Sequence, residues 1–206
     1  MTKYVDLLKD FNNKSDNKVL CIFPYGSRVY GTANEDSDED YITVLKKMHR
    51  KHQIYSNNGK SFVIHDTTSF QRAIWAHEPF ALEAIFLPVE QHLKNTVKWD
   101  FELKLHILRE SFSQKASHSF VKAKKKFEVE ADFKRGKKSL FHSCRILNFG
   151  IQIAQAGKIS NYQSANEYWW DIYKNPSTDW DTYQDKYKPI FNNLNSKFRE
   201  LAPKNK

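Results

Sequence analysis

The apolar pattern of this chain changes period once, near Asp66, and that change restricts the fold to one class. Before it, apolar residues come in short runs. Residues 18–24 hold the continuous run Val19, Leu20, Cys21, Ile22 and Phe23, which suits a buried strand. A second run extends from Asp40 to Leu45, and segments 52–55 and 61–66 flank SNNGK, whose Asn58-Gly59 pair favours a hairpin turn. From Thr67 onward the spacing is helical, opening with Thr68 and Gln71 at capping-box separation and continuing through Phe70, Ile74, Leu82 and Phe86. The pattern predicts helices near 67–76, 79–87, 99–113, 115–130, 136–156, 163–173 and 181–200, with a short one at Tyr4 to Phe11 ahead of the first strand. The expected class is α+β: a small mixed sheet with flanking helices, packed around a cleft against a C-terminal helical region, divided into 1–95 and 96–206.

With 206 residues, 40% of them hydrophobic, the chain is long enough to bury a substantial core. No run approaches the roughly 18 uncharged apolar residues that a membrane span needs, and the opening MTKYVDLLKD lacks the apolar core of a signal peptide. A soluble, cytoplasmic protein with no membrane partner is the expectation. The two cysteines agree with it, since Cys21 lies in an apolar run and Cys144 in a helical pattern, neither at a metal-ligand spacing. The formal charge of +9 attracts polyanions such as nucleic acid and nucleotides. It is unevenly spread: Lys115, Lys122, Lys124, Lys125, Lys126, Lys134, Arg135, Lys137 and Lys138 crowd one region, whereas Glu35, Asp36, Asp38, Glu39 and Asp40 form a compact acidic knot.

The segment PYGSRVYGTANEDSDEDYITV carries the chemistry. It sets a Gly-Ser turn after one strand and two carboxylates at the start of the next. Asp38 and Asp40 lie two apart, so on extended chain they share a face and can share divalent cations. Two hard carboxylates suit magnesium, which keeps waters and takes further ligands from phosphates. Gly26 lets the backbone approach a phosphate closely, and the Ser27 hydroxyl can donate to it. A solvated acidic loop would require neither the Gly-Ser turn nor carboxylates entering an apolar strand.

This arrangement resembles the signature of the DNA polymerase beta nucleotidyltransferase superfamily: an apolar strand, Gly26-Ser27, about ten residues, then Asp38, any residue, Asp40 and the apolar Tyr41. Within it, GSRVYGT followed by SDED resembles the RNA repair pathway polymerase beta family of bacteria and phages. HEPFALEAIFLP, with Glu83, and KKSLFHSCRILNFGIQIAQAGKI, with Lys138, His142 and Arg145, extend the likeness over residues 20–160 or so. Glu39 departs from it, standing where the superfamily often has an apolar residue.

The resemblance implies a catalytic domain over 1–95 and a helical substrate- or nucleotide-binding region over 96–206. It implies transfer of a nucleoside monophosphate from a nucleoside triphosphate to a hydroxyl, an RNA end being the expected acceptor, with release of pyrophosphate. Two magnesium ions, for which manganese can substitute, would be held by Asp38, Asp40 and a third carboxylate from a nearby strand. Asp66, which alternates with Phe62 and Ile64, is the candidate for that third position, and an N-cap for the helix starting at Thr67 is its competing role. Gly26, Ser27, Arg28, Ser37, Lys138, His142 and Arg145 make up the implied nucleotide- and phosphate-binding set. Transfer to a protein hydroxyl and an inactive RNA-binding module are the alternatives.

Leu140, Cys144, Leu147, Ile151 and Ala154 recur as a core face, which leaves Lys138, His142 and Arg145 opposite, facing solvent or phosphate. Glu83, among apolar neighbours, is either a surface glutamate or a brace for a basic residue. His65 should face away from the site. The aromatics Tyr162, Tyr168, Trp169, Trp170, Tyr173, Trp180, Tyr183 and Tyr187 are expected to be mostly core, with one or two rings exposed.

Overall fold

The computed structural model describes residues 18–47, 53–57 and 59–204, so the helix expected at Tyr4 to Phe11 lies outside the described residues. Five strands, β1 (Val19–Tyr25), β2 (Glu39–Leu45), β3 (Gln53–Asn57), β4 (Lys60–Asp66) and β5 (Lys94–Asn95), form one sheet in the order β3-β4-β2-β1-β5. β1 is antiparallel to β2 and β5, β3 is antiparallel to β4, and β2 runs parallel to β4, so the sheet is mixed. Asn57 pairs with Lys60 across the tight turn that Asn58-Gly59 predicts, and Gly59 has φ 70°. β5 was not anticipated. Two residues display no period, and this strand exists only through its pairing with Cys21 and Ile22.

Helices α1 (Ser27–Tyr30), α2 (Thr67–Trp75), α3 (Pro79–Phe86), α4 (Leu105–Glu128), α5 (Phe133–Ala156), α6 (Asn166–Lys174) and α7 (Trp180–Leu201) complete the α+β fold, with a 3-10 turn at Val89–Gln91. The expected helices at 99–113 and 115–130 are a single element, α4. No glycine or proline interrupts it near Gln114. It starts later than expected because side chains capture the backbone before it: Gln71 bonds both the N–H and the carbonyl of Asp100, and His77 Nε2 accepts from the Lys104 N–H at 2.9 Å.

The chain divides into two compact units, the first up to Trp75 with Phe80–Phe101, the second Ala76–Pro79 with Glu102–Lys206. In the first, Val19, Ile22, Tyr41, Leu45, Phe62 and Ile64 form a core cluster against the sheet. A register irregularity between Val19 and Cys21 lets Val19 and Ile22 join one cluster despite their odd separation. Phe23 instead stacks on Phe70 of α2 at 5.9 Å, and buried His65 stacks on Phe80 of α3 at 5.0 Å, so His65 is a core residue.

In the second unit, α4, α5, α6 and α7 enclose a cluster built from Phe127, Leu140, Phe141, Cys144, Trp169, Ile172, Trp180, Tyr183 and Tyr187. Burying tyrosines requires partners for their hydroxyls. Tyr183 donates to the carbonyls of Asn175 and Ser177 at 3.0 and 2.9 Å, and Tyr187 donates to Asp171. Trp170 and Tyr173 remain exposed. Two glycines set how closely α5 approaches its neighbours: a Cβ on Gly136 would lie 2.5 Å from the Phe127 ring, and one on Gly150 would lie 2.9 Å from Phe198. Gly136→Ala should therefore destabilise the protein by about 1–3 kcal/mol through overpacking, despite alanine's better helix propensity. A denaturant midpoint equal to or above the parent's would contradict this account of the α4–α5 contact.

Candidate functional site

The antiparallel register of β1 and β2 pairs Tyr25 with Asp40, which brings the turn after β1 beside the start of β2. Gly26 adopts φ 80° and ψ −158°, a conformation L side chains rarely take. A Cβ on it would lie 2.3 Å from Asp40 Oδ2. Glycine is thus required twice, by the backbone and by the carboxylate seated over it. Its carbonyl accepts from the Val29 and Tyr30 N–H groups at 3.0 and 3.1 Å, starting α1 immediately at Ser27.

Glu39 occupies the other face of β2. It accepts from Lys60 Nζ at 2.7 Å and from the Tyr41 hydroxyl at 2.6 Å, and those bonds hold its carboxyl below the usual range. The extra acid in the motif is thereby absorbed by its own partners. Strand alternation places Asp40 on the side opposite Glu39 and Tyr41; Asp38, which immediately precedes β2, is exposed and Asp40 half-buried. The loop before them is tied to itself and to α1. Ser37 Oγ accepts from the Asn34 N–H at 2.9 Å and donates to Asn34 Oδ1 at 2.7 Å, while Arg28 Nη2 donates to the Ser37 carbonyl at 2.7 Å. Arg28 and Ser37, expected among the phosphate ligands, here order the approach to Asp38.

Glu83 is 3% exposed and accepts a short hydrogen bond from the buried Tyr30 hydroxyl. Its burial corrects the reading of this residue as a surface acid, and a phenol is one of its partners. The bond joins α3 to α1 and so holds the Gly-Ser turn from behind.

Asp66 does not join Asp38 and Asp40. Its Oδ1 accepts from the Ser69 N–H at 2.6 Å while Ser69 Oγ accepts from the Asp66 N–H at 3.1 Å, a reciprocal cap on α2. In the parallel register Asp66 pairs with Leu45, five positions beyond the Asp40–Ser61 pair, or roughly 16 Å at about 3.3 Å per residue. The expectation that it supplies a third carboxylate to the same ions is therefore wrong. The residue beside Asp40 on β4 is Ser61. Among the described residues, no group of three or more His, Cys, Asp or Glu is arranged to hold a metal ion.

Lys138, His142 and Arg145 belong to the second unit. Arg145 is only 2% exposed, so the expected face opposite the apolar stripe is not simply a solvated one; α5 is covered by several helices rather than one. The Arg145 guanidinium lies over the Phe149 ring at 4.9 Å, and its Nε donates to His142 Nδ1 at 3.3 Å. His142, half-buried, is enclosed densely enough that desolvation, followed by the charges on Arg145, Lys138 and Lys122, pushes its pKa from 6.5 to about 3. Its imidazole is neutral, with Nδ1 the acceptor and the hydrogen on Nε2.

No family model matches the chain, and no curated protein is significantly similar to it.

Three outcomes are expected of this geometry. Asp66→Ala should cost about 1 kcal/mol of stability, whereas Asp66→Asn, which still caps, should stay close to the parent in a denaturant titration. Tyr30→Phe should cost about 1–3 kcal/mol, because it removes a donor from a buried carboxylate. The third concerns acid. Because His142 is depressed in the folded state, its contribution is fully present above the unfolded value of 6.5 and is lost as pH falls toward about 3, where only the unfolded chain takes up the proton. Denaturant midpoints at pH 7 and pH 5 should therefore fall further for the parent than for His142→Gln; equal falls would exclude His142 from the pH response.

Proposed function

We propose that the sheet-bearing unit is the catalytic part of a metal-dependent nucleotidyltransferase, which moves a nucleoside monophosphate from a nucleoside triphosphate to a hydroxyl, an RNA end being the acceptor. The observation that carries this reading is the seating of the Asp40 carboxylate directly over Gly26, with Ser27 beginning α1 beside it. A Gly-Ser turn and a paired carboxylate held together offer complementary surfaces to one ligand: backbone and hydroxyl for phosphate oxygens, carboxylates for the cations that accompany them. The resemblance of residues 25–41 to the polymerase beta signature and the charge of +9 support the same substrate classes.

Asp38 and Asp40 would hold magnesium, or manganese in its place, and as two hard oxygen donors they fit a cation that takes its remaining ligands from water and phosphate. When bound, the metal supplies charge neutralisation at the phosphates. In the reaction the acceptor oxygen forms a bond to the α-phosphorus, the bond from that phosphorus to the pyrophosphate oxygen breaks, and the hydroxyl proton passes to solvent. Gly26 leaves room for the Asp40 carboxylate against the backbone, and the Ser27 hydroxyl orients a phosphate. The Arg28–Ser37 bond keeps Asp38 in place, and the Tyr30–Glu83 bond keeps α1 in place.

Incubation with each labelled triphosphate, magnesium and total cellular RNA tests the reading, with label on RNA the expected result and label on polypeptide pointing to a protein acceptor. Asp38→Asn and Asp40→Asn should each abolish transfer while remaining at least as stable as the metal-free parent, since removing one carboxylate relieves repulsion. Near-parental transfer by both variants would refute the assignment of these residues.

A further inference from the structure

Residues paired between β2 and β4 share a face of the sheet. Glu39 bonds Lys60, and Tyr41 stacks on Phe62 at 5.2 Å, each across its register pair. The pair between them, Asp40 and Ser61, therefore lies together on the opposite face. Ser61 pairs in turn with Ser56, and Asp40 with Tyr25. Tyr25, Asp40, Ser61 and Ser56 thus form one polar row across four strands, with neighbours about 4.8 Å apart. The next row on the same face is apolar and consists of Phe23, Ile42, Val63 and Ile54.

Cover over the apolar row stops halfway. Phe23, stacked on Phe70, and Ile42 are buried, Val63 is half-buried, and Ile54 is 67% exposed. A single exposed apolar side chain is ordinary. Ile54 differs in that it carries a core row into the open directly beside two hydroxyls. Neither the half-buried Ser61 nor the exposed Ser56 hydroxyl has a hydrogen-bond partner among the described residues.

The two rows match the chemistry of a nucleoside, which has sugar hydroxyls along one edge and a flat base beyond them. We infer, resting on the transfer reaction proposed above, that the β3–β4 part of this face receives the terminal nucleoside of the RNA acceptor. Ser61 accepts from the attacking hydroxyl and Ser56 bonds the neighbouring one, while Val63 and Ile54 carry the base. The two substrates then meet at Asp40 from opposite sides. The triphosphate comes from the Gly26-Ser27 turn after β1, and the acceptor comes from β4. Ser61 is neutral, so it orients the hydroxyl and leaves its proton to solvent. A peptide acceptor would instead pair its backbone along the outer edge of β3 and need neither serine.

Methyl NMR of the full chain reads this surface without turnover, with magnesium and an α,β-methylene triphosphate analogue present. A short RNA oligonucleotide should shift the Val63 and Ile54 methyl signals, whereas magnesium and the analogue alone should not. Ile54→Ser and Ser61→Ala should each weaken oligonucleotide binding about tenfold and leave analogue binding unchanged. Ser61→Thr, which keeps the hydroxyl, should restore binding. An oligonucleotide ending in a dideoxynucleoside should bind the parent and Ser61→Ala equally. In transfer assays both variants should raise KM for RNA but not for the triphosphate, and Ser61→Ala alone should also lower kcat. Unmoved Val63 and Ile54 methyls with an analogue that still binds would overturn the inference and leave the transfer reading standing. Shifted methyls without analogue binding would uphold the RNA surface and refute that reading. An equal loss for ordinary and dideoxy-ended oligonucleotides in Ser61→Ala would overturn the contact assigned to Ser61.

Discussion

Much of the first unit depends on one close contact, the Asp40 carboxylate packed against the bare Cα of Gly26. A side chain at position 26 would have to occupy the space that Asp40 already fills, and its backbone would be strained besides. Because β1 and β2 pair through Tyr25 and Asp40, the contact is imposed by register rather than by a flexible loop. The surrounding bonds all act to preserve it. Glu39 is drawn to the opposite face by Lys60 and Tyr41, the loop is tied through Ser37 and Arg28, and Tyr30 is anchored on the buried Glu83. A carboxylate and the turn that opens α1 are thereby presented together from rigid elements, the arrangement that precise positioning of a ligand needs.

The parallel pairing of β2 with β4 decides which acids can cooperate. Parallel strands carry their starts to one end of the sheet and their ends to the other, so an acid ending β4 cannot meet an acid beginning β2. Asp66 is on the wrong end by construction, whereas Ser61 stands beside Asp40. The carboxylate pair is left without a third carboxylate from β4. A cation held there would rely more on water and on its own ligand's oxygens, as magnesium commonly does.

The strands, the hairpin and the Gly-Ser–carboxylate motif were legible because each has a local physical signature: apolar runs, Asn-Gly, and side-chain alternation. Asp66 was ambiguous because a short acidic side chain after a strand and before a helix is equally suited to capping, and only register separates the roles. Glu83 was ambiguous because its partner, Tyr30, lies 53 residues away in the sequence. The late start of α4 was hidden for a similar reason. Its backbone is diverted by Gln71 and His77, whose bonds are tertiary and leave no period in the sequence.

The burial of Arg145, which rules out the solvated alternative for it, has a more general cause. A helical wheel assumes one covered face and one wet face, which holds for a helix packed against a single neighbour. α5 has neighbours in α4, α6 and α7, so more than one sector of its surface is covered. A guanidinium in such a sector stays because its flat faces pack like an aromatic ring: over Phe149 it keeps its charge and loses little contact. Its edge then points a donor at His142, whose acceptance of that bond is incompatible with a proton on Nδ1. Burial of the arginine and neutrality of the histidine are thus one arrangement rather than two. It converts a titratable group flanked by lysines into a fixed dipole across the physiological pH range.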